Sequence, residues 1–299
     1  INDSTRHAEI NRPPTTRLEA HHYDVVFHVL AVRNSAKFSP AMVHVADDRR
    51  HDWMIFQTLA NLLDKKRGGK VPNRKDYVRR MHLWQLLDLG LRVGPYGVNG
   101  GRKNQADGLS LKRLLKNRHG IDLGALQPCL KARIVTPNGK INLIYDHALN
   151  DLPRAKAVMT ASANGHSDEL LLIGRRHVRS NNSWMHNSNR LMKGKNRCTL
   201  MIHPHDAQAR NIADGAVVCV TSRVGQVEIV VEITDEVMQG VVSIPHGFGH
   251  TRTGAELEIA TQTQYAGVSI NDLTDDQAID PMTGNAVFSA TPVQVMAQG

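Results

Sequence analysis

Residues 198–250, CTLMIHPHDAQARNIADGAVVCVTSRVGQVEIVVEITDEVMQGVVSIPHGFGH, decide the fold of this chain. Four runs of this stretch are strand-like and rich in β-branched residues: CTLMI, AVVCVTS, QVEIVVEIT and VVSIP. Turn residues separate the runs, among them Asp214-Gly215, Gly225 and Gly240. The stretch has one helical segment, HDAQARNI, in which Asp206 is placed to act as the N-cap. Many short strands with little helix predict a barrel or a sandwich.

Two further strand-like runs flank this stretch, LLLIG at 170–174 and PVQVM at 292–296. The upstream part has a different character, because two segments have apolar residues at helical spacing. We interpret both stripes as core-facing. In HDWMIFQTLANLLDKK (51–66) the stripe is Trp53, Phe56, Leu59, Leu62 and Leu63, and in RKDYVRRMHLWQLLDLGL (74–91) it is Tyr77, Val78, Met81, Trp84, Leu87 and Leu89.

The remaining upstream segments are shorter. HHYDVVFHVLAV (21–32) has the dense apolar pattern of a buried strand or short helix, and GKINLIYDHAL (139–149) is predicted to be a strand after an Asn-Gly turn. LSLKRLLKNRHG (109–120) is predicted to be a short basic helix that stops at Gly120. The glycine-rich segment 92–108 lacks the spacing of a Walker A loop, so we expect an ordinary loop there.

The small polar segment MTASANGHSDE (159–169) marks the predicted domain boundary. We therefore expect a domain at 1–165 made of helices, loops and few strands, followed by a barrel domain at 166–299. The predicted fold class is mixed α/β, with a C-terminal β-barrel preceded by a mostly α-helical, loop-rich segment.

Charge and cysteine content restrict the function classes. The net charge is +9, but residues 170–210 contain eight Arg and Lys against one acidic residue, whereas 211–299 contain two Arg against eleven Asp and Glu. Such a basic block beside an acidic one indicates a localised anion site or a solvated basic face. The three isolated cysteines form no C-x-x-C pair, which favours a reduced, cytoplasmic setting without a zinc or iron–sulfur site in this chain. The sequence contains no run of eighteen apolar residues, so it predicts no membrane span.

The stretch LLLIGRRHVRSNNSWMHNSNR (170–190) is the candidate for that anion site. A buried strand runs into a Gly-Arg-Arg corner, and many amide, hydroxyl and imidazole groups follow. A phosphate-linked heterocyclic ligand needs this combination of positive charge and short polar groups. A barrel mouth is also a common place for a ligand.

These pieces, taken in order, resemble the C-terminal cofactor-binding domain of molybdopterin oxidoreductases. LLIGR, the stretch 198–250 and NDLTDDQAIDPMTGNA (271–286) are similar to that domain in the dimethyl sulfoxide reductase family, which includes formate dehydrogenases and nitrate reductases. The resemblance implies a double-psi β-barrel. It also implies a molybdenum bis(molybdopterin guanine dinucleotide) cofactor, with this part of the chain helping to form the active-site funnel.

The resemblance implies cofactor-binding roles for ten residues. Gly174 and Arg175 match the family's Gly-Arg corner, the polar loop after it corresponds in residue type, His246 and Gly247 follow the VVSIP strand, and Asn271 begins the NDLT segment. The full predicted set is Gly174, Arg175, Asn182, Ser183, Trp184, His186, Asn187, His246, Gly247 and Asn271.

The family's N-terminal cysteine motif and metal-ligating position have no match in this chain. We therefore interpret the chain as the C-terminal portion of a longer, formate dehydrogenase-like enzyme, with any iron–sulfur cluster in the missing N-terminal part. Its expected partners are that N-terminal portion, a small-molecule substrate and an electron-transfer subunit. We assign no catalytic proton-transfer residue and no metal ligand.

Two alternatives remain open from the sequence. The barrel could be a stand-alone binding module without redox chemistry, which the reading frame upstream of Ile1 would distinguish. The basic region 65–116 could instead bind nucleic acid, although no recognised reader motif accompanies its charge.

Overall fold

The computed structural model describes residue 2 and residues 4–68, 81–99, 107–163 and 168–298. The chain divides into two compact units, one made of Ile10–Lys140 and the other of Ile1–Glu9 with Ile141–Gly299. The predicted boundary at residues 165 and 166 stays a prediction, because residues 164–167 lie outside the described residues. Parts of the predicted second helix (74–80), of the loop at 92–108 and of the basic region 65–116 also lie outside them.

The unit Ile10–Lys140 combines short helices with two small antiparallel sheets. Strand β1 pairs with β3, and β2 pairs with β4. A buried cluster that includes Phe38, Leu91 and Leu114 forms the core, and Trp84 packs against it. The elements are β1 (His22–Tyr23), β2 (Arg33–Ala36), β3 (Phe38–Ser39), α1 (Asp52–Lys66), α2 (Leu83–Val93), α3 (Leu111–Lys116), β4 (Ile121–Ala125) and α4 (Leu130–Arg133).

Helices form in each predicted segment of this unit, the second of them over Leu83–Val93 among the described residues, and local signals explain where two of them begin. The backbone N–H of His82 donates to the side chain of Gln85, and the N–H of Trp84 donates to the His82 ring, so α2 begins with reciprocal caps. Ser110 caps α3 by accepting from the N–H of Arg113. Helix α3 ends at Lys116, a few residues before the predicted stop at Gly120.

The predicted burial of the α1 stripe is wrong for this chain. The helix forms over nearly the predicted residues, but Phe56, Leu59, Leu62 and Leu63 are all more than half exposed. Helical spacing predicts which side chains share a face, and it does not specify what covers that face.

Two predictions in the upstream part need correction, the burial predicted for residues 21–32 and the strand predicted for residues 139–149. Residues 21–32 form the two-residue β1 and a 3₁₀ helix, Phe27–Leu30, and Val25, Val26 and Phe27 of this segment are exposed. Residues 139–149 form no strand, because helix α5 (Asp146–Ala163) begins within them. Asp146 in its first turn complements the positive end of the helix dipole.

The second unit contains a closed barrel of six strands in the order β10-β5-β9-β6-β8-β7. All six strand-like runs of the sequence become strands of this barrel. The pairs β5/β9 and β6/β8 are parallel, and the other four are antiparallel. The strands are β5 (Leu170–Arg175), β6 (Thr199–Ile202), β7 (Val217–Thr221), β8 (Gln226–Ile233), β9 (Val241–Pro245) and β10 (Thr291–Ala297).

Alternation of side chains along these strands builds the barrel core. In β8, Val227, Ile229 and Val231 are buried, while Gln226 and Glu228 are exposed. The predicted Asp214-Gly215 turn is confirmed, with Gly215 at φ +75° and the Asp214 carboxylate accepting from the N–H of Ile233. Three short helices lie between the strands, α6 (Asn189–Met192), α7 (Pro204–Ala209) and α8 (Thr263–Ala266).

The helix predicted at HDAQARNI is confirmed as α7, but Asp206 is not its N-cap. His203 caps the helix, since its ring accepts from the N–H of His205, and Pro204 occupies the first helical position. Asp206 is buried instead, and its carboxylate accepts from the N–H of Gly240 at 2.6 Å. The side chain therefore links α7 to the turn before β9.

Replacing Asp206 with alanine is expected to lower the free energy of unfolding by about 2 kcal/mol, because the partly buried N–H of Gly240 loses a charged acceptor. Asp206→Asn keeps an acceptor oxygen and should lose less than half as much. Urea unfolding followed by circular dichroism measures both variants. A negligible loss in Asp206→Ala would show that the carboxylate contributes no hydrogen bond of consequence.

No helix in the described parts of the chain is long and apolar enough to cross a membrane.

Candidate functional site

The parallel pair β5/β9 brings two loops together at one end of the barrel. Gly174 lies beside Ile244, and Arg175 beside Pro245, so both strands end at the same edge. The backbone N–H of His246 donates to the carbonyl of Arg175 at 3.0 Å, which continues the pairing by one residue. The polar loop 176–188 and the turn 246–250 therefore begin side by side.

Two cavities lie at this end of the barrel, and they share His246 and Asn271. The first, of about 370 Å³, is hereafter cavity A, and the second, of about 390 Å³, is cavity B. Cavity A is lined by Gly174, Arg176, His246, Ile270, Asn271, Thr274, Phe288 and Ser289. Cavity B is lined by Ser4, Ser183, His246, Gly247, Phe248, Gly249, His250, Arg252, Ser269, Asn271 and Asp272.

Arg176 supplies positive charge to cavity A, and its guanidinium donates to the side-chain oxygen of Asn182. Its charge and the partial burial of the imidazole lower the pKa of His246, with burial the larger cause. A neutral imidazole at this position can donate one hydrogen bond and accept another. Cavity A thus combines a fixed cation with a neutral ring.

Arg175 lies elsewhere, on the outer face of the barrel, and lines neither cavity. Its guanidinium donates to the carbonyl of Ser243 at 2.5 Å and to the carbonyl of Thr199 at 2.9 Å. It also donates to the hydroxyl of Thr199 at 2.8 Å, and that hydroxyl donates to Glu232 at 2.7 Å. Burial lowers the pKa of Arg175, and the charge of Glu232 opposes this effect. Arg175 therefore ties β5 across β9 to β6.

Asn182 and Gly247 are in close contact. Asn181 and Asn182 both have positive φ, +42° and +62°, which asparagine tolerates better than most residues. The carbonyl of Asn182 then approaches Gly247 so closely that a Cβ at position 247 would overlap it, and Gly247 itself has φ +99°. Glycine is the residue that fits both requirements.

The other predicted loop residues have different surroundings. Ser183 lines cavity B. Trp184 is 75% exposed and lines neither cavity. The side-chain oxygen of Asn187 accepts from the N–H of Ile259 at 2.8 Å, so this amide orders the segment before α8.

His186 is buried beneath the site and pairs with a second histidine. Its Nδ1 lies 2.9 Å from Nε2 of His250, which lines cavity B, and its ring packs against Phe248 at 4.4 Å. Burial lowers the pKa of His186 to about 4, and the charges of His250, Arg197 and His177 act in the same direction. Hydrogen bonding to the backbone of Gly247 opposes these effects.

Asn271 reaches both cavities from the 3₁₀ helix Ile270–Asp272, which the Ser269 side chain caps by accepting from the Asn271 N–H. On the far side of cavity B, Arg252 forms an ion pair with Asp272. In the described part of the chain, no group of three or more His, Cys, Asp or Glu side chains could hold a metal ion.

The structure thus brings half of the predicted residues to the cavities: Gly174, Ser183, His246, Gly247 and Asn271. Asn182 accepts a hydrogen bond from Arg176 but does not line a cavity. The other four residues, Arg175, Trp184, His186 and Asn187, line neither cavity. A cofactor-binding role for each of the ten stays a prediction. The cavity residues absent from the predicted set include Arg176, Thr274, Phe288 and Ser289. A sequence signal existed for Arg176, in the Arg pair, and for Thr274, in NDLT.

Comparisons with known proteins find similarity over the barrel sequence and in the fold. A family model described as the molydopterin dinucleotide binding domain matches residues 170–292. Over 70 residues the chain is 41% identical to dimethyl sulfoxide/trimethylamine N-oxide reductase of Rhodobacter capsulatus, covering 23% of this chain and 8% of that protein. The solved structure of acetylene hydratase from Pelobacter acetylenicus has a similar fold, with a TM-score of 0.57 at 14% identity, over 96% of this chain and 38% of that chain.

The chain thus spans less than half the length of both proteins. The family match begins at Leu170, the first residue of β5, and ends in β10, so it contains the whole barrel sequence between these strands. It also contains almost every residue of the two cavities. Residues 170–292 thus match the molydopterin dinucleotide binding domain, and the comparisons support a C-terminal portion of the molybdopterin oxidoreductases that the sequence resembles.

Proposed function

We propose that cavities A and B hold the dinucleotide part of a molybdopterin guanine dinucleotide cofactor in a molybdenum-dependent oxidoreductase. The observation that carries the proposal is the convergence of Arg176, His246 and Asn271 where β5 and β9 end in parallel. The family match over residues 170–292 supports the ligand class. The guanine form, the presence of two dinucleotides and the contribution to an active-site funnel are proposed from the family resemblance.

The donor set of the cavities fits such a ligand. A pyrophosphate needs a cation, and the Arg176 guanidinium offers several N–H donors. A guanine edge and ribose hydroxyls need mixed donors and acceptors, which Asn271, Thr274 and Ser183 provide. The residues that would hold the cofactor are Gly174, Arg176, Ser183, His246, Gly247 and Asn271.

When bound, a molybdenum cofactor of this type supplies two-electron redox chemistry. The residues of this chain would bind and orient it. Arg176 would neutralise phosphate charge, the neutral ring of His246 would donate or accept a hydrogen bond, and Asn271 would present its amide to both cavities. Arg176 and His246 directly follow the ends of β5 and β9, and Asn271 lies in a 3₁₀ helix, so all three are held by regular structure, which limits the entropy lost on binding.

The six-stranded barrel is proposed to be a double-psi barrel. Its two parallel pairs, β5/β9 and β6/β8, are joined by the antiparallel pairing of β6 with β9, and this arrangement supports the assignment. The connection from β5 to β9 contains β6, β7 and β8, and the connection from β6 to β8 contains β7.

A further portion of the same enzyme is the proposed partner of this chain. Phe56, Leu59 and Leu62 give α1 an exposed apolar face, and isolated faces of this kind mark contact surfaces. A formate dehydrogenase-like activity on a small-molecule substrate, an electron-transfer subunit and a cytoplasmic location are proposed from the resemblance and the reduced cysteines.

Arg176→Ala tests the nucleotide site directly. We expect the variant to bind guanosine diphosphate about tenfold more weakly than the wild-type chain, because a charged partner of the phosphates is lost. Isothermal titration calorimetry measures the affinity. Arg190→Ala is the matched control, since this exposed arginine follows the same polar loop and lines neither cavity. Equal affinities of the two variants would contradict the proposed role of Arg176.

A further inference from the structure

The pair formed by His186 and His250 joins two segments that are far apart in the sequence. Both rings are buried, with exposures of 0% and 2%, and their nitrogens lie 2.9 Å apart. His186 belongs to the polar loop 176–188, and His250 ends the turn 246–250. The hydrogen bond between the rings therefore fixes the distance between the two walls of cavity B.

Other contacts hold the same turn at its two ends. The His246 N–H donates to the carbonyl of Arg175, and the N–H groups of Gly249 and His250 donate to the carbonyl of Ala266. Between these points the turn packs against the polar loop 176–188. Gly247 contacts the Asn182 backbone, and Phe248 packs on the His186 ring. The two rings add a directional hydrogen bond to these packing contacts.

A bond between two imidazoles requires that one ring donates a proton and the other offers a lone pair. The pKa of His186, lowered to about 4 by burial and then by the charges of His250, Arg197 and His177, keeps its ring neutral at pH 7. Those three groups, with the backbone of Gly247 and the ring of Phe248, face His186 from the elements packed against it. The lone pair that the bond needs is thus present under ordinary conditions.

We propose that His186 and His250 are a positioning pair for the nucleotide site, which holds the turn 246–250 at the place where His246 and Gly247 can meet a bound ligand. His186 acts through His250 and the turn, and has no contact with the ligand itself. The inference rests on the proposed function for the identity of the ligand, but the positioning of the turn is independent of it.

The first test measures backbone hydrogen exchange of the wild-type chain and of His186→Leu by mass spectrometry. We expect peptides that cover 246–250 to exchange about tenfold faster in the variant, with smaller changes in the barrel strands. The double variant His186→Asn/His250→Gln should restore slow exchange, because the two amides place hydrogen-bonding groups where Nδ1 and Nε2 stand. Unchanged exchange of 246–250 in His186→Leu would overturn the proposal.

The second test measures the affinity of the same variants for guanosine diphosphate. We expect His186→Leu to bind about tenfold more weakly, and the double amide variant to regain most of the affinity. Val218→Ala is the control for general destabilisation, since this buried residue lies in β7, which pairs with β8 and β10 only. If Val218→Ala lost as much affinity as His186→Leu, or if His186→Leu lost none, the positioning role would be refuted.

The two tests separate this inference from the proposed function. If the wild-type chain binds no guanosine diphosphate, the proposed function fails, and the exchange experiment still decides whether the pair holds the turn. If the chain binds and the exchange of 246–250 is unaffected by His186→Leu, the nucleotide site stands and the positioning pair is excluded.

Discussion

Replacing Arg175 with alanine is expected to lower the free energy of unfolding by about 3 kcal/mol, because charge-assisted hydrogen bonds are lost and buried acceptors stay unsatisfied. The acceptors are the carbonyls of Ser243 and Thr199 and the Thr199 hydroxyl, and both residues are buried. The loss would weaken the link from β5 across β9 to β6. Urea unfolding followed by far-ultraviolet circular dichroism measures it.

Arg210→Ala provides a matched control for Arg175→Ala. Its guanidinium also donates to two carbonyls, those of Asp206 and Asp168, but the second of these bonds is exposed to solvent. We expect a loss of about 1 kcal/mol for this control. A loss of similar size for Arg175→Ala would contradict its role in the barrel.

Arg175 and Arg176 are thus expected to affect cofactor binding in different ways. Arg175→Ala in a full-length enzyme would lower cofactor content through the barrel, whereas Arg176→Ala would lower it through the phosphates. The affinity of the folded chain for guanosine diphosphate distinguishes the two. It should change little in Arg175→Ala at a temperature well below its unfolding transition.

Acid should destabilise the barrel through His186. The folded pKa of this ring is about 4, below its ordinary value of 6.5. Below pH 6.5 the unfolded chain therefore binds a proton that the folded chain does not bind, and stability falls until pH 4. The pKa difference corresponds to a loss of about 3 kcal/mol at most across this window.

Urea unfolding between pH 7.5 and pH 4.5 measures the acid effect, with His186→Asn as the comparison. An amide does not titrate, so the stability of the variant should fall less steeply than that of the wild-type chain. The pKa values of His21, His177 and His246 are also lowered, but these groups contribute equally to both proteins. Parallel stability curves would show that the folded chain does not hold the His186 ring neutral.

Alternation and turn chemistry were sufficient to predict the barrel strands. Alternate residues of a run such as β8 face the barrel core, and Asp214-Gly215 forms the turn that its residue types predict. Helix α1 was predictable because its apolar residues recur at helical spacing, but the exposure of Phe56 was not. The partner of an apolar face is not encoded in the face itself.

The site was less predictable because its residues are identified by the direction in which their side chains point and by contacts between residues far apart in the sequence. Gly174, Arg175 and Arg176 are consecutive, and successive side chains of a strand point to opposite faces, so a match to a Gly-Arg corner does not tell which arginine faces the ligand. The His186–His250 bond joins residues 64 positions apart, and no local pattern predicts such a pair.

The most direct test of the nucleotide site is photolabelling of the wild-type chain with 8-azidoguanosine diphosphate, followed by peptide mapping. We predict label in peptides that contain residues 174–187, 246–252 or 269–274, and its loss when excess guanosine diphosphate competes. Competed label found only within Ile10–Lys140, or no competed label at any concentration below the millimolar range, would contradict the assignment of cavities A and B as the nucleotide site.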